Sequence, residues 1–155
     1  MANRKRLILE QLTDNVNRFS QLKDAPHPVK GWIRAIREAL GMSGVQFAKR
    51  LGVSPQRVAT LEKAEVTGAV TIRSMRQAAE ALDCVFVYAL VPRSSLKDTV
   101  RRQALEVARE RLKHTSHTML LEDQQLSKEK MRKALDAAVE ELVDAMPKEL
   151  WDKPG

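Results

Sequence analysis

The chain has 155 residues, 43% of them hydrophobic, with only three Phe, two Trp and one Tyr. A packed core is expected from Leu, Val, Ala, Ile and Met, and so few aromatics suit helices packed on helices better than a strand sandwich. The net charge is +7; basic residues outnumber acidic ones up to residue 113 and are outnumbered after it, so the front of the chain should attract a polyanion. One cysteine excludes an internal disulfide and fits the reducing cytoplasm. No apolar run approaches the roughly 18 residues that span a bilayer, so a soluble protein with no membrane partner is expected.

Residues 1–28 form the first region, a helical arm carrying Leu7, Ile8, Leu12, Val16, Phe19 and Leu22, with a basic tip at Arg4, Lys5 and Arg6. Pro26-His27-Pro28 ends it by removing backbone donors. Residues 29–83 form the second region. Val29, Ile33, Ile36 and Leu40 make an apolar helical stripe with Trp32 beside it, and Gly41 can take the left-handed cap. Ser43 and Gln46 have the spacing of a capping box for a short helix carrying Val45, Phe47, Ala48 and Leu51. Gly52 ends that helix, Val53 is expected to plug the core, and Ser54 caps another with Pro55 at its first position, where a missing N–H is harmless. Val58 and Leu61 point inward, and Gln56, Arg57, Thr60 and Lys63 occupy polar surfaces. Two short helices joined by a glycine turn, the second held from behind, make a helix-turn-helix. Thr71 then caps a helix with Ile72, Met75, Ala78, Ala79 and Leu82.

Residues 84–92 are the third region. The run Cys84-Val85-Phe86-Val87-Tyr88-Ala89-Leu90-Val91, stopped by Pro92, has strand composition. A lone strand leaves its backbone unpaired, so Val85, Phe86, Val87, Tyr88 and Ala89 are expected to pair with the same strand of a second subunit, making a homodimer. Residues 93–155 form a C-terminal helical region that binds a second subunit or another partner. Its long helix carries Leu96, Val100, Ala104, Val107, Ala108 and Leu112. A further helix capped by Ser127 carries Met131, Leu135, Ala138, Val139, Leu142 and Val143 and ends near Pro147.

The stretch from Ser43 to Lys63 resembles the helix-turn-helix of the phage repressor and Cro family, through Ala48, the Leu51-Gly52-Val53-Ser54 turn and the Val58-x-x-Leu61-Glu62 ending. The fold class that follows is mainly α: a five-helix-like repressor-type domain, one dimer-pairing strand and C-terminal helices. The resemblance implies that Pro55, Gln56 and Thr60 reach base edges with Arg57 alongside. Gln56 suits adenine, the Thr60 methyl suits thymine, and Arg57 suits guanine or a phosphate. It gives Glu62 a role in the local fold. Ser43, Gly44, Lys49, Arg50, Ser54 and Lys63 complete the DNA-binding set, with Arg73 and Arg76 as further phosphate candidates. Gly44 departs from the family, which commonly has Gln there as a phosphate clamp; its backbone N–H at the helix start can still hold an anion. Pro55 also departs, offering shape rather than a polar contact.

Over most of its length the chain is also similar to the mobile mystery protein A family, through Gly31-Trp32-Ile33-Arg34-Ala35-Ile36-Arg37, Leu61-Glu62-Lys63-Ala64-Glu65, Ala79-Glu80-Ala81-Leu82-Asp83-Cys84, Tyr88-Ala89-Leu90-Val91-Pro92-Arg93 and His117-Thr118-Met119-Leu120-Leu121-Glu122. This resemblance implies an antitoxin-type repressor of its own operon, binding double-stranded DNA at an inverted repeat and restraining a Fic-domain partner. Thr118 and Glu122 have the spacing of a Fic-inhibitory motif, although Asp123 follows where Gly or Asn is usual. The alternative is an interaction module that inhibits the Fic partner and binds DNA weakly. No catalytic residues, cofactor or metal site are expected: His27, His114, His117 and Cys84 form no ligand motif, and phosphate loops and nucleophile elbows are absent.

Overall fold

A computed structural model describes residues 2–121 and 128–152, with the side chains of 4–115 and 128–152. Seven α-helices lie among the described residues: α1 (Ala2–Asn17), α2 (Trp32–Ala39), α3 (Gly44–Leu51), α4 (Pro55–Thr67), α5 (Ile72–Ala81), α6 (Leu96–Leu121) and α7 (Lys128–Ala145). Short 3-10 turns occupy Ser20–Leu22 and Lys148–Trp151. Ser127 and Glu122 lie outside the described residues, as does the side chain of Thr118. The chain divides into two compact units, one of Gln21–Ala89 and one of Met1–Ser20 with Leu90–Gly155.

In the central unit, α2 to α5 surround Ile33, Phe47, Ala48, Val58, Leu61, Ala78 and Leu82. Ala48 and Ala78 are fully covered; with no side chain beyond Cβ, they let α3 approach α4 and α5 closely. Four α-helices build this unit; the fifth helix read from the sequence, over residues 4–22, forms as α1 with the Ser20–Leu22 turn, and α1 belongs to the other unit. The stripe expected from Val29 to Leu40 is also shorter than its periodicity suggests. Val29 precedes the helix and is 94% exposed, Leu40 is its C-cap, and Ile33 is the member sealed in the core. Val53 stays partly exposed instead of plugging the core.

The strand expected at residues 84–92 is not formed, and no strand occurs among the described residues. The Cys84 amide closes onto the Ala79 carbonyl at 2.8 Å, as part of the α5 terminus. From Val85 to Pro92 no backbone–backbone hydrogen bond is made within the described residues. Residue composition can favour an extended chain, but a ladder needs a neighbouring extended segment, and the helices of one chain supply none.

In the other unit α1, α6 and α7 pack together, with Val100, Ala104, Ala108, Val139, Leu142 and Leu150 at the centre. Val100, Ala104 and Ala108 recur every fourth residue, and the two alanines let α7 sit close against α6. Leu150, on the terminal 3-10 turn, is almost completely buried. Gln103 fixes that turn by donating from Nε2 to the Leu150 carbonyl at 2.7 Å.

Candidate nucleic-acid interface

The α3–turn–α4 unit is built by reciprocal capping. The Ser43 hydroxyl accepts from the Gln46 amide at 3.1 Å while the Gln46 side chain accepts from the Ser43 amide at 2.8 Å, so α3 starts at a fixed residue. Gly52 closes α3 with φ of +73°, a conformation that favours glycine. Val53 N–H then reaches back to the Ala48 carbonyl. At the next residue the Ser54 hydroxyl accepts from the Arg57 amide at 3.2 Å, and Pro55 opens α4.

Val58, Leu61 and Glu65 share the inner stripe of α4, which places Gln56, Thr60 and Lys63 on the opposite one at spacings of four and three. All three are exposed. The Thr60 hydroxyl donates to the Gln56 carbonyl at 3.0 Å, so its proton is held within the helix and its methyl and lone pairs are left for a ligand. Arg57 lies off this stripe, on the flank of α4. There it lines a cleft of about 590 Å³ with Arg50, Ser74 and Gln77, in which Glu80 is the one acidic group. That position suits a phosphate better than a base edge.

The other cations divide. Lys49 and Lys63 are exposed, and Ser43 and Gly44 present the start of α3 with open space beside Gly44. Arg50 has a structural task, since its Nε donates to the Ala81 carbonyl at 2.8 Å and so ties α3 to the end of α5. Arg76 faces the segment after α5, its guanidinium 5.9 Å from the centre of the Tyr88 ring. Arg73 is exposed in the first turn of α5.

Two carboxylates brace α4 from behind. Glu62 accepts from Arg37 Nε at 2.6 Å and from a terminal nitrogen at 3.2 Å, while the other terminal nitrogen donates to the Met42 carbonyl at 2.9 Å. One guanidinium therefore joins α2, α4 and the turn before α3. Its side chain is 12% exposed and that of Glu62 11%, so this is an interior pair. The bond to Glu62 holds the Arg37 pKa above its ordinary value against the opposing effect of burial. Glu65 accepts from the Trp32 and Ile33 amides, at 2.5 and 2.8 Å, and so caps α2 from across the domain. This close approach requires Gly31, with φ of +83°, because a Cβ there would lie 2.8 Å from the Glu65 carboxylate.

Residues 33–86 match the family model described as helix-turn-helix. The match of this stretch to a Cro/C1-type helix-turn-helix supports a DNA-binding transcription regulator. No curated protein and no solved structure matches the chain. Sequence reasoning assigned Glu62 to the local fold but missed its partner Arg37, and missed Glu65 altogether. A signal was present: Arg37 lies four residues after Ile33, and Glu65 four after Leu61. Each is a charge on an apolar stripe, which needs a buried partner. Among the described residues no group of three His, Cys, Asp or Glu side chains is placed to hold a metal, and no helix is long and apolar enough to cross a membrane.

Proposed function

We propose that the chain is a sequence-specific repressor that acts as a homodimer on an inverted repeat, reading base edges with Gln56 and Thr60 and the backbone with Ser43, Gly44, Lys49, Arg50, Arg57 and Lys63. The observation that carries this reading is the α4 surface. Gln56, Thr60 and Lys63 form one exposed stripe on a helix whose start is fixed by Ser54 and Pro55 and whose inner side is clamped by Arg37 and Glu62. A helix held rigidly from behind can present side chains to the major groove with little loss of conformational freedom on binding. Ser54 and Pro55, at its tip, supply shape.

The similarity to mobile mystery protein A extends the proposal to an antitoxin-type protein controlling its own operon and restraining a Fic-domain partner, with Thr118 and Glu122 as the inhibitory pair. The test is titration of the protein's own upstream DNA and of scrambled DNA of equal length, at about 0.15 M salt where weak phosphate contacts are screened. Tighter binding to the upstream DNA, lost on scrambling, is expected. Equal affinities would overturn sequence-specific repression and favour an interaction module. Co-purification with the product of an adjacent Fic reading frame, whose nucleotide transfer is relieved of inhibition by Glu122→Ala, tests the partner independently.

A further inference from the structure

An apolar cavity of about 370 Å³ lies in the central unit between α2, α5 and residues 84–87, and it shares no lining residue with the Arg57 cleft or the α4 stripe. Trp32, Ile36, Met75, Cys84 and Phe86 line it, and no charged side chain does. Each wall is fixed by a further contact. Trp32 meets His27 edge to face with ring centres 6.2 Å apart, and its amide donates to Glu65 of α4. Phe86 stacks on Tyr88 with ring centres 5.6 Å apart. The Cys84 amide donates to the Ala79 carbonyl at 2.8 Å and its thiol to the Leu82 carbonyl at 3.4 Å. Ile33 and Leu82 complete the lining and belong to the sealed core. A cavity whose walls are already held is preformed, so a ligand entering it meets little reorganisation cost.

We propose that this cavity binds a small uncharged aromatic molecule of about two fused rings. The inference stands apart from the DNA-binding reading, because none of the residues placed on DNA lines the cavity. Size is the first argument. A dry cavity of about 150 Å³ takes one benzene ring, so 370 Å³ has room for two. One turn of an α-helix, about 10 Å across and 5.4 Å long, already occupies roughly 400 Å³, so a docked helix is too large. Charge is the second. The lining side chains offer one indole N–H and one thiol, and the thiol is already donated to Leu82. An ionised ligand would be buried without a partner, which is costly, and water would find few hydrogen bonds. Shape is the third. The Trp32 and Phe86 rings and the Met75 and Cys84 sulfurs suit a flat aromatic face better than an aliphatic chain of equal volume.

Titration of the nitrogen-15-labelled full chain with 2-naphthol, and with 2-naphthoate, which has the same two rings and a carboxylate, tests the site by nuclear magnetic resonance. 2-Naphthol should shift the amide signals of Trp32, Met75, Ala79 and Val85 saturably and bind more tightly than 2-naphthoate by about tenfold or more. It should also slow alkylation of Cys84 by iodoacetamide, a readout on the unaltered protein. Ala79→Phe places a ring inside the cavity and should abolish the shifts while keeping the helical circular dichroism; should that variant fail to fold, protection of Cys84 in the wild-type chain still decides. No saturable shift, equal affinity for the two probes, shifts centred on other residues, or unprotected Cys84 at saturation would overturn the proposal. Probe binding that disappears in step with self-association in sedimentation would assign the cavity to protein and overturn it as well.

Discussion

Replacing Glu62 with Ala tests whether the recognition helix depends on its interior brace. The substitution leaves the Arg37 guanidinium with the Met42 carbonyl as its remaining hydrogen-bond acceptor, in a site where the side chain is 12% exposed. Breaking a fully buried pair from one side is destabilising by about 3–5 kcal/mol. The retained bond to Met42 and the partial exposure place this case just below that range, at about 2–3 kcal/mol. Unfolding in urea is the assay, followed by Trp32 fluorescence in a Trp151→Phe background so that the signal reports the unit containing α2 to α5. A lower midpoint with an unchanged slope is expected. The double variant Arg37→Met/Glu62→Met should recover most of the loss, because apolar groups of similar size remove the uncompensated charge. A loss under about 0.5 kcal/mol for Glu62→Ala, or a double variant as unstable as the summed singles, would refute the brace.

Gln56→Ala should weaken binding to the preferred site by about 1–3 kcal/mol and leave scrambled DNA unaffected, as read by titration on both; equal losses would remove its base-reading role. Arg57→Ala should lower both affinities alike and reduce the slope of log affinity against log salt by about one, the signature of a phosphate contact from the α4 flank. Gly44→Gln restores the side chain common in the phage repressor family at a position with open space around it. It should tighten binding by roughly 3- to 10-fold, since one added solvent-exposed hydrogen bond contributes about 1 kcal/mol, and unchanged affinity on every DNA would show that α3 does not approach the backbone there. Gly31→Ala meets both left-handed strain and the Glu65 carboxylate, whereas Gly41→Ala meets strain with nothing within 4 Å. The first should therefore lower the melting temperature distinctly more than the second, with strain alone amounting to about 1 kcal/mol.

The helix-turn-helix was legible because its determinants are local. Ser43 and Gln46, Gly52, Ser54 with Pro55, and Thr71 act on amides within three or four residues, so a linear reading recovers the starts of three helices and the turn between two of them. What escaped acts across distance. Arg37 finds Glu62 after 25 residues of chain and Glu65 caps α2 from more than 30 residues away; no spacing rule pairs such groups, although their place on apolar stripes shows that they need partners. The same limit explains the segment at 84–92. Its composition describes a chain ready to pair but does not supply the second edge. Gln56, Thr60 and Lys63 could be placed on one surface from helical period alone, whereas the flank position of Arg57 needed α5, whose Ser74 and Gln77 complete its cleft. The stripe proposed to read bases is therefore a property of one helix. The surface proposed to grip the DNA backbone draws on three, and in it Arg50 also serves the fold by donating to the Ala81 carbonyl.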